Sequence, residues 1–83
     1  MELKEPVLKL LNKLYEPDCM IEIKFKRYDL AVKTDEAGRP ILLYMGQRDE
    51  QGSIKGERYT RRLKFDNSGN MIKDHWEHKG KAT

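Results

Sequence analysis

The sequence predicts an α+β domain in which a short N-terminal helix packs on a four-stranded, twisted antiparallel β-meander. One apolar stripe at helical spacing precedes several runs rich in Ile, Leu, Val, Tyr, Phe and Arg. Three segments of the form Asp-x-x-Gly follow and separate these runs, at residues 35–38, 49–52 and 66–69. Asp accepts local backbone hydrogen bonds and Gly adopts positive φ, so each segment is typical of a type I turn followed by a bulge.

The helix is expected over residues 6–15. Pro6 suits the first helical position, where a missing N–H costs nothing. The apolar stripe follows the spacing i, i+3, i+4, i+7, at Val7, Leu10, Leu11 and Leu14. Pro17 disfavours helical geometry at the residue before it, so the helix should end there. So short a helix is not stable alone, and its stripe should therefore pack on the sheet.

The four strands are expected at about 20–34, 39–48, 57–65 and 70–78. In the first, the apolar positions change parity near Lys26-Arg27 without any Gly or Pro, which favours a β-bulge over a break into two strands. The second is apolar on both faces, which is typical of an interior strand. Its second face would need a curled sheet, a dimer partner or a ligand to cover it. The connection 49–56 has two possible turn glycines, so its register stays open.

The last hairpin takes its predicted register from its turn. If residues 66–69 form that turn, Asp66 pairs with Asn70, Arg62 lies beside Asp74, and Trp76 lies among basic side chains. A short helix over 70–79 is the alternative, because several residues there also fit a 3.6-residue spacing: Met71, Ile72, His75, Trp76 and Lys79. The strand is the preferred interpretation.

One stretch of this hairpin reads Phe65-Asp66-x-x-Gly69-Asn70-x-Ile72. It resembles the kernel of the YD repeats found in Rhs-type proteins. The resemblance covers eight residues, and such repeats occur in long arrays that this chain lacks. It implies a hairpin here and implies nothing about function.

Length and composition predict one small domain over residues 1–83, with a disordered basic tail at 79–83. The single Cys19 excludes an internal disulfide and is expected to be a buried, reduced thiol. No run of about 18 apolar residues and no signal-peptide core is present, which predicts a cytoplasmic protein with no membrane partner. The net charge is +3, and residues 55–83 hold eight Lys or Arg against four acids. An anionic partner should therefore prefer the C-terminal half.

No residues suggest catalysis. On a strand, His75 and His78 point to opposite faces and cannot share a metal ion. Cys19 has no identifiable base, the serines lie in turns, and the glycines fit no phosphate-binding loop. The sequence predicts neither an enzyme nor a cofactor or metal.

The predicted function is a non-catalytic binding role, in the first place as a protein-interaction or homodimerisation module. The candidate interface lies on the doubly apolar strand, at Ile41, Leu43, Tyr44 and Met45. The alternative is single-stranded nucleic-acid binding through a basic and aromatic sheet face, with cations on phosphates and Trp76 stacked on a base. Its candidate residues are Arg58, Arg61, Arg62, Lys64, Lys73, Trp76, Lys79 and Lys81, with Tyr28 and Tyr44 expected near the same face.

Overall fold

A computed structural model describes residues 3–81. One short helix is followed by five strands, which lie in chain order in a single antiparallel sheet: α1 (Glu5–Leu11), β1 (Met20–Phe25), β2 (Tyr28–Thr34), β3 (Pro40–Arg48), β4 (Ile54–Phe65) and β5 (Met71–Lys81). The predicted α+β meander is confirmed, but it has five strands and not four. Within residues 3–81, no helix has the length and apolar character needed to cross a membrane.

The additional strand arises because the predicted first strand, 20–34, is two strands joined by a two-residue turn. Phe25 pairs with Tyr28, and Lys26 between them has φ 55. The prediction of a bulge was wrong, because a tight hairpin also changes the parity of the apolar positions while keeping them on one face. A Lys with positive φ is uncommon. A tertiary contact supports this turn, since Gln47 Nε2 of β3 donates a hydrogen bond to the Arg27 carbonyl at 2.5 Å.

The three Asp-x-x-Gly turns are confirmed. In each, the Gly N–H donates to the Asp carbonyl at 3.0–3.1 Å, and the Asp side chain accepts further backbone N–H groups. The three turn glycines, Gly38, Gly52 and Gly69, have φ between 85 and 87. The middle turn also sets the register that the sequence left open, because Arg48 pairs with Ile54.

The helix is shorter than the predicted 6–15. It ends at Leu11, and Leu14 is 70% exposed and outside the apolar stripe. Tertiary hydrogen bonds explain the early end. The Tyr15 N–H donates to the Gly38 carbonyl at 2.9 Å, and the Tyr15 hydroxyl donates to the Leu10 carbonyl at 2.7 Å. These bonds hold the chain after Leu11 against the β2–β3 turn.

The sheet has a covered face and an open face. The covered face packs against Val7 and Leu11 of α1, and its core residues are Leu30, Val32, Leu43 and Tyr59. The open face lies on the other side and holds the alternate residues of each strand, for example Ala31, Tyr44 and Arg58, which lie directly opposite one another. At one end of β3 and β4 the sheet curls, so that the Arg48 guanidinium of β3 reaches Glu22 of β1. A curled sheet is one of the three covers predicted for the second face.

The β4–β5 register differs from the predicted one after its first pair. Phe65 pairs with Met71 as predicted, but the register shifts between Phe65 and Lys64. Arg62 therefore lies opposite His75 and not Asp74. The predicted strand and the hairpin implied by the YD-repeat resemblance are confirmed. Residues 79–81, assigned from sequence to a basic tail, belong to β5, and residues 82–83 lie outside the described part of the chain.

Candidate functional site

The register divides the eight candidate nucleic-acid residues between the two faces. Arg61 and Trp76 lie opposite each other on the covered face. The other six belong to the open face or its rim: Arg58, Arg62, Lys64, Lys73, Lys79 and Lys81. The predicted combination of Trp76 with this set of cations on one face is therefore absent, and Tyr28 also lies on the covered side.

Arg61 connects the helix to the sheet. Its guanidinium donates to the Leu11 and Pro40 carbonyls, both at 3.2 Å, and to both carboxylate oxygens of Asp74 at 2.6 Å. The side chain is only 6% exposed. A cation at the carboxyl end of a helix also interacts favourably with the unpaired carbonyls there. The contacts of Arg61 are therefore structural.

Trp76 packs beside this cluster. Its ring centroid lies 5.7 Å from the Arg61 guanidinium carbon, and the ring packs against the core. Its Nε1 is buried and has no hydrogen-bond partner within residues 3–81. The ring is thus a half-buried part of the covered face, where α1 and Arg61 limit access to a base.

The Arg61 guanidinium hydrogen bonds lower the pKa of Asp74 below its ordinary value of 3.8. A depressed folded-state pKa contributes stability above the unfolded-state value, and this contribution is lost as the pH falls through the folded-state value. We therefore expect the free energy of unfolding to decrease below about pH 4. Urea titrations from about pH 6 to about pH 2 measure this decrease. The free energy of unfolding of Asp74→Asn should fall less over this range than that of the parent. An identical pH dependence in both proteins would contradict this coupling.

The open face is rich in cations. Within residues 3–81, six Lys or Arg side chains occupy it by register: Lys24, Lys33, Arg58, Arg62, Lys64 and Lys73. Arg48, Lys79 and Lys81 lie at its end or rim, and three carboxylates share the face: Glu22, Asp29 and Glu77. The carboxylates already have partners: Lys24 binds Asp29 at 3.1 Å, Arg48 binds Glu22 at 2.8 Å, and Lys79 binds Glu77 at 2.9 Å.

On the β4–β5 half of the open face, the positive charge is only partly compensated. Lys64 and Lys73 lie directly opposite each other, and like charges in that position destabilise a sheet. Neither they nor Arg58 form an ion pair with any residue from 3 to 81. Arg62, 63% exposed, contacts Glu77 at 3.3 Å, and this carboxyl also binds Lys79, whose hydrogen bond lowers the pKa of Glu77. This half of the open face therefore has an excess of positive charge.

The open face ends in a groove formed by the β3–β4 hairpin. Gly46 and Gly56 are directly paired, and a Cβ at Gly46 would lie 2.0 Å from the Lys55 carbonyl oxygen. Because neither residue has a Cβ, the two strands approach closely and the hairpin end bends over the open face. The Arg48 N–H then donates to Asp29 at 2.9 Å, and the Arg48 guanidinium reaches Glu22 of β1.

This groove encloses about 530 Å³. Its lining includes Tyr44 and Arg58 of the sheet and Ser53 and Ile54 at the hairpin end. Ile54 is 9% exposed, so the hairpin end covers part of the apolar surface. Sequence reasoning did not assign Arg48 or the two glycines to a site. The available signal was a Gly in each of two consecutive strands.

The four candidate interface residues do not form one surface. Leu43 is fully buried in the core, and Met45 packs against it on the covered face. Tyr44 lies on the open face, and Ile41 is half-buried where the β2–β3 register shifts. The exposed apolar side chains lie elsewhere, and a group of them occupies the far end of the β4–β5 hairpin: Phe65, Met71 and Ile72, exposed by 40%, 43% and 58%.

The two histidines lie on opposite faces, as the strand interpretation predicts. His75 is opposite Arg62 on the open face, whereas His78 is opposite Tyr59 on the covered face and contacts Glu57 at 2.5 Å. Within residues 3–81, no three His, Cys, Asp or Glu side chains are grouped so as to hold a metal ion.

No protein-family model, curated protein or solved structure gives a significant match to this chain.

Proposed function

We propose that the domain binds single-stranded nucleic acid along the β4–β5 half of its open face. The observation that carries the proposal is the directly opposed, unpaired Lys64 and Lys73 beside Arg62. A polyanion would relieve their repulsion, and the release of its counterions would favour binding. The cations from Arg58 to Lys64 extend over about 20 Å of β4, at about 3.3 Å per residue.

Tyr44 is the aromatic residue best positioned to contribute. It lies directly opposite Arg58 on the open face and is half-buried at the groove. Stacking of a base on such a ring is worth about 1–3 kcal/mol. In this proposal Tyr44 takes the role that the sequence suggested for Trp76.

The test compares two double variants that lose the same charge. Arg62→Gln/Lys64→Gln removes two cations from the open face, whereas Lys9→Gln/Lys13→Gln removes two exposed cations from the segment around α1. The probe is a labelled oligonucleotide of about 12 nucleotides, followed by fluorescence anisotropy over a range of salt concentrations. The open-face variant should bind more weakly, and the slope of log affinity against log salt should be shallower by about 1.4.

Two results would contradict the proposal. The parent could fail to bind at about 50 mM salt, where counterion release favours association. Alternatively, the α1 double variant could lose as much affinity as the open-face variant, which would indicate attraction by net charge alone.

A second candidate function is self-association or binding of another protein. The exposed Phe65, Met71 and Ile72 at the end of the β4–β5 hairpin favour it, because β5 is also an unpaired sheet edge. Contact through this apolar group should persist at high salt and be weakened by Ile72→Lys, as measured by sedimentation velocity. Nucleic-acid binding should instead disappear at high salt.

A further inference from the structure

The groove at the end of the open face has a surplus of positive charge. Arg48 and Arg58 line it from the open face, and Lys81 lines it from β5, where its partner in the sheet is Glu57. The one carboxylate among its lining residues, Glu22, is already bound to Arg48 at 2.8 Å. Arg58 and Lys81 form no ion pair with any residue from 3 to 81. Two unpaired cations in a recess are suited to a ligand with more than one negative charge.

The two ends of the open face differ. Towards the β4–β5 turn the face is unobstructed. Beyond Thr60, β4 extends past β3 and pairs with β5 alone among the strands of residues 3–81. Towards the β3–β4 turn, Gly52, Ser53 and Ile54 of the hairpin end line the groove together with Ala31 and Tyr44 of the sheet. A strand that lies over Lys64, Arg62 and Arg58 therefore meets the hairpin end at the groove.

We propose that the groove binds the phosphate monoester at the end of a nucleic-acid strand. This inference rests on the proposed function. A phosphate monoester carries a charge of about −1.5 to −2 at pH 7. Each internal phosphate diester carries about −1, roughly half as much. Arg58 and Lys81 bind this dianion, and Tyr44 offers its ring to the terminal base. The volume of about 530 Å³ is in the range of small-molecule sites.

The experiment uses three oligonucleotides of the same sequence, about 8 nucleotides long. One has hydroxyls at both ends, one a 5′-phosphate and one a 3′-phosphate. One of the two phosphorylated oligonucleotides should bind about tenfold more tightly than the oligonucleotide with hydroxyls at both ends. A tenfold gain corresponds to one added charge-assisted contact. Arg58→Gln/Lys81→Gln should abolish this ratio. The matched control Lys64→Gln/Lys73→Gln should weaken all three oligonucleotides and keep the ratio.

A second measurement tests the groove directly. A nucleoside monophosphate should shift the backbone amide resonances of Arg48, Ser53 and Arg58 in NMR spectra, and the matching nucleoside should shift them much less. If the monophosphate binds as tightly as the phosphorylated oligonucleotide, the groove is a site for free nucleotides and the strand-end assignment is wrong.

The remaining outcomes separate the two proposals. Equal, salt-sensitive affinity for all three oligonucleotides would overturn the strand-end inference and leave the proposed function standing. Absence of binding by any of them at about 50 mM salt would overturn both.

Discussion

Replacing Arg61 by Met is expected to destabilise the domain by about 3 kcal/mol, because a buried acceptor left without its donor costs about 1–3 kcal/mol. The guanidinium is 6% exposed and bonds α1, the start of β3 and Asp74 of β5. Met fills much of the same space but leaves two carbonyls and a carboxylate without their donor. Domains of this size have a total stability of about 4–12 kcal/mol. Urea unfolding followed by circular dichroism measures the loss.

The neighbouring arginine provides the matched control. Arg62 lies on the open face, is 63% exposed, and contacts Glu77 at 3.3 Å. Arg62→Met should therefore cost less than about 1 kcal/mol. Amide hydrogen exchange in α1 gives an independent readout, because Arg61→Met should accelerate exchange there and Arg62→Met should not. Similar losses of stability in the two variants would mean that Arg61 does not hold the helix to the sheet.

Gly56→Ala is expected to cost about 3 kcal/mol or more, at the upper end of the range for overpacking. A Cβ at Gly56 would lie 2.2 Å from the Met45 carbonyl oxygen and 2.7 Å from the Gly46 Cα. Both are backbone atoms, so a strand must move. For a domain of this length, such a loss lowers Tm by about 12–24 °C. We also expect the hairpin end to lift from the open face, so that the NMR contacts between Arg48 and Glu22 disappear.

Gly69→Ala separates crowding from backbone strain. Gly69 has φ 85, and its Cβ would meet nothing within 4 Å. The cost of Ala there is the left-handed conformation alone, about 1–2 kcal/mol. If Gly56→Ala is no more destabilising than Gly69→Ala, the close approach of β3 and β4 is not required for the bend.

Local chemistry made much of the fold predictable. Asp35, Asp49 and Asp66 bond to backbone amides within their own turns, so three hairpins follow from short segments of sequence. The β1–β2 turn was missed because Lys26 has no local preference for positive φ. The helix end was missed for a similar reason, since Tyr15 bonds to Gly38 on a distant turn.

The candidate site was predictable as a set of charges and not as a surface. The surplus of Lys and Arg in the second half of the chain is evident from composition, and most of these cations share the open face. Alternation along β4 already separates Arg61 from Arg58, Arg62 and Lys64, but Trp76 could not be separated from that set. The one-residue register shift between Phe65 and Lys64 moves Trp76 and its neighbours in β5 to the other face of the sheet. The groove depends on a close approach of two glycines that lie ten residues apart.

The sequence by itself determined the α+β class, the antiparallel meander, three of its four turns and the basic character of its second half. These features depend on side chains that act on neighbouring backbone or repeat with a fixed period. Tertiary structure alone decided the fifth strand, the length of the helix, the role of Arg61 and the closure of the open face. Each of these depends on contacts between distant segments, whose geometry no local pattern specifies.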